Sequence, residues 1–242
     1  RAANGVVVIR TKRGRQGENN KVELRSYYGS QDVPNRLDMM GARQWAAVAQ
    51  QAYQNAGRAV PTGITEALAG NGPSTDWQDA VFTRGAIQNH NLALSGGTQN
   101  ANYLISGGLF NQDGTVIETD FKRWNVRVNS ELTRGRFTIG ENIALSRYTR
   151  QGLVADPLTG FPLVQVVRML PTIPVRDPAN ASGYGYGSSA NETFGTNPVG
   201  LLERRPQNER SNQVIGSAFG QVQLFYGLKY RLNLGLNYEN YN

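Results

Sequence analysis

Residues 228–238 alternate without a break, and that alternation restricts the possible folds more than any other feature of the chain. Leu228, Tyr230, Leu232, Leu234, Leu236 and Tyr238 share one parity, while Lys229, Arg231, Asn233, Gly235 and Asn237 share the other. A β-strand sends successive side chains to opposite faces. The segment therefore reads as a strand with one wholly apolar face and one polar face. Such a strand suits a soluble sheet with one wet side, or a barrel wall in lipid. Length separates these cases, because a membrane strand needs roughly 9–11 residues while a soluble strand averages about 5–6. Tyr230 and Tyr238 bracket the apolar stripe. At about 3.4 Å per residue and a tilt of roughly 40°, the stripe covers about 20 Å of height, near that of an outer-membrane barrel's apolar band. Aromatic rings favour the two lipid–water interfaces.

Six further segments read as strands: 21–29, 88–95, 101–111, 121–132, 137–148 and 212–225. In 121–132, Trp124, Val126, Val128 and Leu132 fall on one face. In 137–148, Phe137, Ile139, Ile143 and Leu145 do so, and Glu141 interrupts them, which a bulge or an end-of-strand position would explain. The connections 30–87 and 149–211 are very long. Those at 96–100, 133–136 and 226–227 are short turns, and 112–120 is intermediate. Short turns thus alternate with longer connections, as they do where short periplasmic turns face long extracellular loops. Within 30–87, Asp38 is expected to cap a helix that runs to Ala56 and stops at Gly57. Trp45, Val48, Ala49, Ala52 and Tyr53 would form its packing face against the barrel rim.

Composition is compatible with this reading. Mean hydropathy is −0.47, but an alternating barrel wall keeps its average low. No run of 18 apolar residues exists, so no membrane helix is expected, and no signal-peptide pattern opens the chain. With no cysteine, disulfides, thiolate metal sites and Cys nucleophiles are excluded. The net charge of +7 comes from scattered basic residues without a recognition motif, so nucleic acid is not an expected partner.

Candidate chemistry is sparse, and neither an enzyme nor a cofactor or metal is expected. His90 is the single histidine and lies on the parity of Leu92 and Leu94, which reads as structural or interfacial rather than catalytic. Asp76 and Asp79, around Trp77, resemble a carboxylate pair but read as helix N-terminal capping. Asn111, Asp113 and Glu118 surround Gly114 without EF-hand spacing, so a hairpin turn is expected there.

Several motifs carry a family resemblance. Residues 1–14 (RAANGVVVIRTKRG) resemble the end of the plug domain in SusC/RagA-like TonB-dependent outer-membrane transporters. TDWQD at 75–79, the run 88–97, NQDG at 111–114 and FKRWNVR at 121–127 follow in that family's order. The resemblance implies that 1–14 end a plug and that 15–242 begin a transmembrane barrel. The expected fold is all-β: an antiparallel transmembrane β-barrel segment, about seven strands of a larger plugged barrel, with small helices in the extracellular loops. Plugged transporters have about 22 strands, so a fragment is expected. The implied function is TonB-dependent import of oligosaccharides or peptides across the bacterial outer membrane. The implied partners are a SusD-like surface lipoprotein, outer-membrane lipid, and the TonB complex acting through a part of the protein outside this chain. Tyr184, Tyr186 and Phe194 are the candidate substrate or lid contacts, their alternative being a Gly-rich loop whose rings pack locally. A surface or soluble carbohydrate-binding β-domain and an outer-membrane barrel enzyme stay open as other readings.

Overall fold

The computed structural model describes residues 14–153, 160–187, 195–204 and 207–242. The expected plug end at 1–13 lies outside them. Seven strands form one antiparallel sheet in chain order. They are β1 (Lys21–Gln31), β2 (Gly85–Gly97), β3 (Ala101–Asp113), β4 (Asp120–Arg134), β5 (Phe137–Gly152), β6 (Gln207–Gln223) and β7 (Lys229–Tyr241). Each strand pairs with the next, so every connection is a simple meander step.

All seven expected strands are present, and most run further than their apolar stripe. β2 begins at Gly85 rather than 88, β5 continues to Gly152, and β6 begins at Gln207 rather than 212. These extra residues lie at the end that carries the long connections, which are 32–84 and 153–206 instead of 30–87 and 149–211, while β2 also runs on to Gly97 and β4 to Arg134 at the turn end. The cause is physical: backbone pairing persists beyond the apolar band, where polar side chains no longer mark the strand. Glu141 needs no bulge, because the β5–β6 register runs unbroken from Phe137↔Val222 to Gly152↔Gln207. Its carboxylate faces outward with the apolar set and accepts a hydrogen bond from the Ser130 hydroxyl across the strand.

Directly paired residues share a face, so the register defines two surfaces. One hydrogen-bond row carries Val22, Leu94, Ile105, Val128, Ile143, Gly216 and Leu236 across all seven strands. This is the apolar face, and its large side chains are exposed apart from the half-buried Val128. On β7 the stripe runs three rows further down, through Leu234 and Leu232 to Tyr230, whereas on β1 the strand's apolar set begins at Val22. Three rows amount to roughly 20 Å along a strand. A level belt on strands tilted 35–45° and spaced about 4.8 Å apart requires a slide of roughly 20–29 Å across seven strands. The belt is therefore diagonal in the sheet and level in a tilted wall. The opposite face is polar, with Arg25, Asn91, Gly108, Asn125 and Ser146 among its members.

The chain approaches this wall from the turn end. Gly17 N–H donates to Thr98 O at 2.9 Å and Gly97 N–H to Glu18 O at 2.9 Å. Gly14 lies so close to Tyr103 that a Cβ would sit 2.2 Å from its carbonyl oxygen, which only glycine permits.

Two substitutions check the face assignment in a protein carrying this whole wall. Leu234→Arg puts a charge on the belt and is expected to destabilise the barrel by about 2–4 kcal/mol. Asn237→Arg, on the polar parity, is expected to leave heat-modifiable gel mobility intact.

Candidate functional site at the loop-bearing rim

The long connections are folded. The first holds α1 (Ala42–Asn55), α2 (Thr62–Ala69) and α3 (Trp77–Val81), and the second holds α4 (Pro162–Arg168) and α5 (Pro198–Arg204). Gly41, not Asp38, is the α1 N-cap. The Gln78 amide bonds both the N–H and the C=O of Leu37, at 2.9 and 2.7 Å, and so fastens the chain to α3 just before the helix. The packing face of α1 also differs from expectation: Ala42 and Ala46 are buried, Trp45, Ala49 and Tyr53 pack against α2, and Val48 is exposed. The α1 helix thus rests on α2 rather than on the wall.

A second core joins both long connections. It comprises Trp77 and Val81 of α3, Val116 of the short 114–119 connection, Val166, Met169, Ile173, Tyr184, and Val199 and Leu202 of α5. The Trp77 indole N–H donates to Leu170 O at 3.0 Å, and Thr75 N–H to Pro171 O at 2.8 Å. Asp76 caps α3, its carboxylate accepting from the Gln78 and Asp79 amides at 2.9 and 3.1 Å, while Asp79 pairs with Arg36. The two acids are therefore capping and ion-pairing groups. The 114–119 segment is a hairpin connection tied to α3 by Ile117 N–H to Val81 O at 3.0 Å. His90 faces outward and hydrogen-bonds Ser26 on β1 through Nδ1 at 2.7 Å.

Of the three candidate contact residues, Phe194 lies outside the described residues. Tyr184 is 9% exposed, and Tyr186 is 57% exposed. The Tyr184 hydroxyl donates to Glu203, its ring lies between Arg176 (4.4 Å) and Arg204 (5.2 Å), and Arg176 binds both Glu203 oxygens at 2.6 and 2.8 Å. Burial acts to raise the Glu203 carboxyl, but the bonds from Tyr184 and Arg176 outweigh it and hold the group below the usual carboxylate range. Gly185 permits the close crossing here, since a Cβ would meet Pro174 O at 2.0 Å. Tyr184 thus anchors the rim module, and Tyr186 presents its ring to solvent.

Beneath the rim, the polar face carries a ladder of rings that sequence reasoning missed. Phe110–Phe121, Phe121–Tyr148 and Tyr148–Tyr241 have centroids 5.9, 5.6 and 6.3 Å apart, and Arg123 lies 5.7 Å from the Phe110 ring. A cleft of about 420 Å³ opens beside it, lined by Gln31, Gln112, Phe121 and Arg150 below and Val116 above. The available signal was parity: these four rings occupy the otherwise polar positions of their strands. Nearer the turn end of this face, Asn102 and Asn142 carry buried side-chain oxygens with no partner among the described residues.

The chain is 29% identical to the TonB-dependent receptor P3 of Formosa agariphila over 99% of its own length and 23% of the relative's. It is 27% identical to the TonB-dependent receptor SusC of Bacteroides thetaiotaomicron over 90% of its length and 22% of the relative's. It superposes over its full length on 30% of a chain of the RagAB peptide transporter, with a TM-score of 0.76 and 25% identity. The chain is thus similar, over its whole length, to SusC/RagA-like TonB-dependent receptors. No protein-family model matches it. The seven-stranded antiparallel sheet matches part of the barrel wall of these structural neighbours, and the chain spans less than a third of the length of these relatives.

The rim network has a pH signature. Glu203 titrates lower when folded, so its contribution is complete above the unfolded value near 4.5 and fades as pH falls through the lowered folded value. Hydrogen exchange of residues 173–185 is expected to accelerate below that point, and Glu203→Gln to remove this pH dependence. Tyr184→Ala is expected to destabilise the module by about 3 kcal/mol or more while leaving strand protection unchanged.

Proposed function

We propose that the protein containing this chain imports large nutrients, oligosaccharides or peptides, across the bacterial outer membrane. Transport is driven through TonB and takes place beneath a SusD-like surface lipoprotein. The observation that carries this reading is the two-faced wall. Its apolar belt is level once the strands tilt, its inner face is polar, and both long connections gather at one end. A wall of this kind encloses an aqueous path through lipid. The family likeness supports the energy source, and the peptide importer RagAB, among the structural neighbours, keeps peptides beside glycans as substrates.

Residues 1–14 end the plug in this reading. The folded connections form part of the mouth, where Tyr186 and Phe194 meet substrate or the lipoprotein lid. The ring ladder and its cleft line the vestibule below. Aromatic faces suit both sugar rings and peptide side chains.

Two measurements on the full-length protein test the proposal. It is expected in the outer-membrane fraction with heat-modifiable mobility, and its uptake of glycan or peptide is expected to require TonB. A protein soluble without detergent would replace the importer with a carbohydrate-binding surface domain. Tyr186→Ala is expected to reduce uptake or lid affinity by about fivefold or more with unchanged mobility.

A further inference from the structure

The outward face changes character immediately above the belt on β4, β5 and β6. In one hydrogen-bond row Lys122, Thr149 and Arg210 lie side by side, and in the row below Trp124, Arg147 and Asn212 do the same. Under these come Val126, Leu145 and Val214 of the belt. Arg147 therefore occupies the apolar parity of β5, directly above Leu145, with Trp124 and Asn212 across from it. These are interior strands of the sheet, so the rest of the barrel does not cover this patch.

The three cations surround Thr149. At a strand spacing of about 4.8 Å, the backbones of Lys122 and Arg210 are about 10 Å apart, a span that two long side chains close around a single oxyanion. A cleft of about 500 Å³ lies here, lined on this face by Lys122, Thr149, Gln151, Asn208, Arg210 and Asn242. Asp120 also borders it and lies 3.7 Å from Lys122, and Asp113 pairs across from Asp120 on the β3 side. Both acids sit on the β3–β4 side of the cleft, away from the two arginines. Glu209 and Arg150, on the opposite parity of β6 and β5, also line the cleft and pair with each other at 3.8 Å. Arg210 is the outward cation on the β5–β6 side of the cleft, Arg147 stands one outward row below it, and the belt residues Leu145 and Val214 follow in the next row.

We propose that Lys122, Arg147 and Arg210, around Thr149, bind the phosphate of an anionic lipid whose acyl chains lie on the belt below. This rests on the outer-membrane reading. The continuity of the notch with Trp124, Leu145 and Val214 selects a lipid-borne phosphate over free phosphate. The guanidinium groups provide paired donors for the phosphate oxygens. Trp124 marks the interface level between headgroup and chains.

The test uses the full-length protein in detergent micelles doped with diphosphoryl lipid A, and native mass spectrometry reads the lipid retained per chain. Wild type is expected to retain the diphosphoryl lipid, to bind its dephosphorylated form about tenfold less well, and to resist displacement by equimolar inorganic phosphate. The K122Q/R147Q/R210Q variant is expected to lose about tenfold or more in retention, with R147K/R210K recovering most of it and R127Q on the inner face changing nothing. Equal retention by wild type and the triple variant overturns the proposal. Equal binding of the dephosphorylated lipid, or displacement by free phosphate, does the same. Heat-modifiable mobility is read on each sample. A triple variant without it is replaced by R147Q alone, whose equality with wild type also overturns the site. A wild type that is soluble without detergent overturns the membrane reading itself.

Discussion

An antiparallel ladder leaves no freedom in which way a side chain points. Once Lys21 pairs with Ser95 and the register runs unbroken to β7, each residue of the wall is assigned to one of two faces. A slip of one residue in any strand would turn its leucines inward and its asparagines outward. The apolar belt depends on that constraint, as do the polar inner face and the basic notch. In a hydrocarbon surrounding the constraint tightens further, because each backbone N–H and C=O must be paired. This is why the sheet is a plain meander without an interruption at Glu141, whose carboxylate is satisfied by Ser130 rather than by a break in the ladder.

The rim follows different physics. Its segments do not extend the ladder, so they need a core of their own. Trp77, Met169, Ile173 and Tyr184 provide it, drawn from two connections far apart in the chain. Burying these groups gathers the long connections into a small domain fastened to the wall through Val116. In the proposed importer, a folded mouth of this kind keeps its surface preformed, which lowers the ordering cost of contact with a lid or a substrate. It also separates roles within one short motif: Tyr184 is held inside by Glu203 and the two arginines, and Tyr186, two residues on, faces solvent.

The wall was legible in the sequence because its rule is local. Period two shows in eleven residues, and Leu228 to Tyr238 announce a face without reference to any partner strand. The strand ends at the rim were less legible, since Gln207–Arg210 and Gln151–Gly152 pair through backbone groups that carry no side-chain signal. The start of α1 was misplaced for a related reason. Asp38 has the residue type of a cap, but the Gln78 amide, distant in the chain, takes both backbone groups of Leu37, and the helix begins only after Gly41. Asp76 behaved as its local sequence suggested, because its partners are its own next amides.

By itself, the sequence determined the number of strands, the facing of the residues along the apolar stripes and the end at which long connections gather. All of these follow from the two-residue period and from the spacing of turns along the chain. Only the tertiary structure decided which rings would meet. Phe110, Phe121, Tyr148 and Tyr241 form a ladder, and Lys122, Arg147 and Arg210 a notch, because register sets strands side by side at fixed offsets that no single strand encodes. Tyr184 was assigned to the interior and Tyr186 to the surface by packing between distant segments, where the free energy depends on what the rest of the chain brings to each ring.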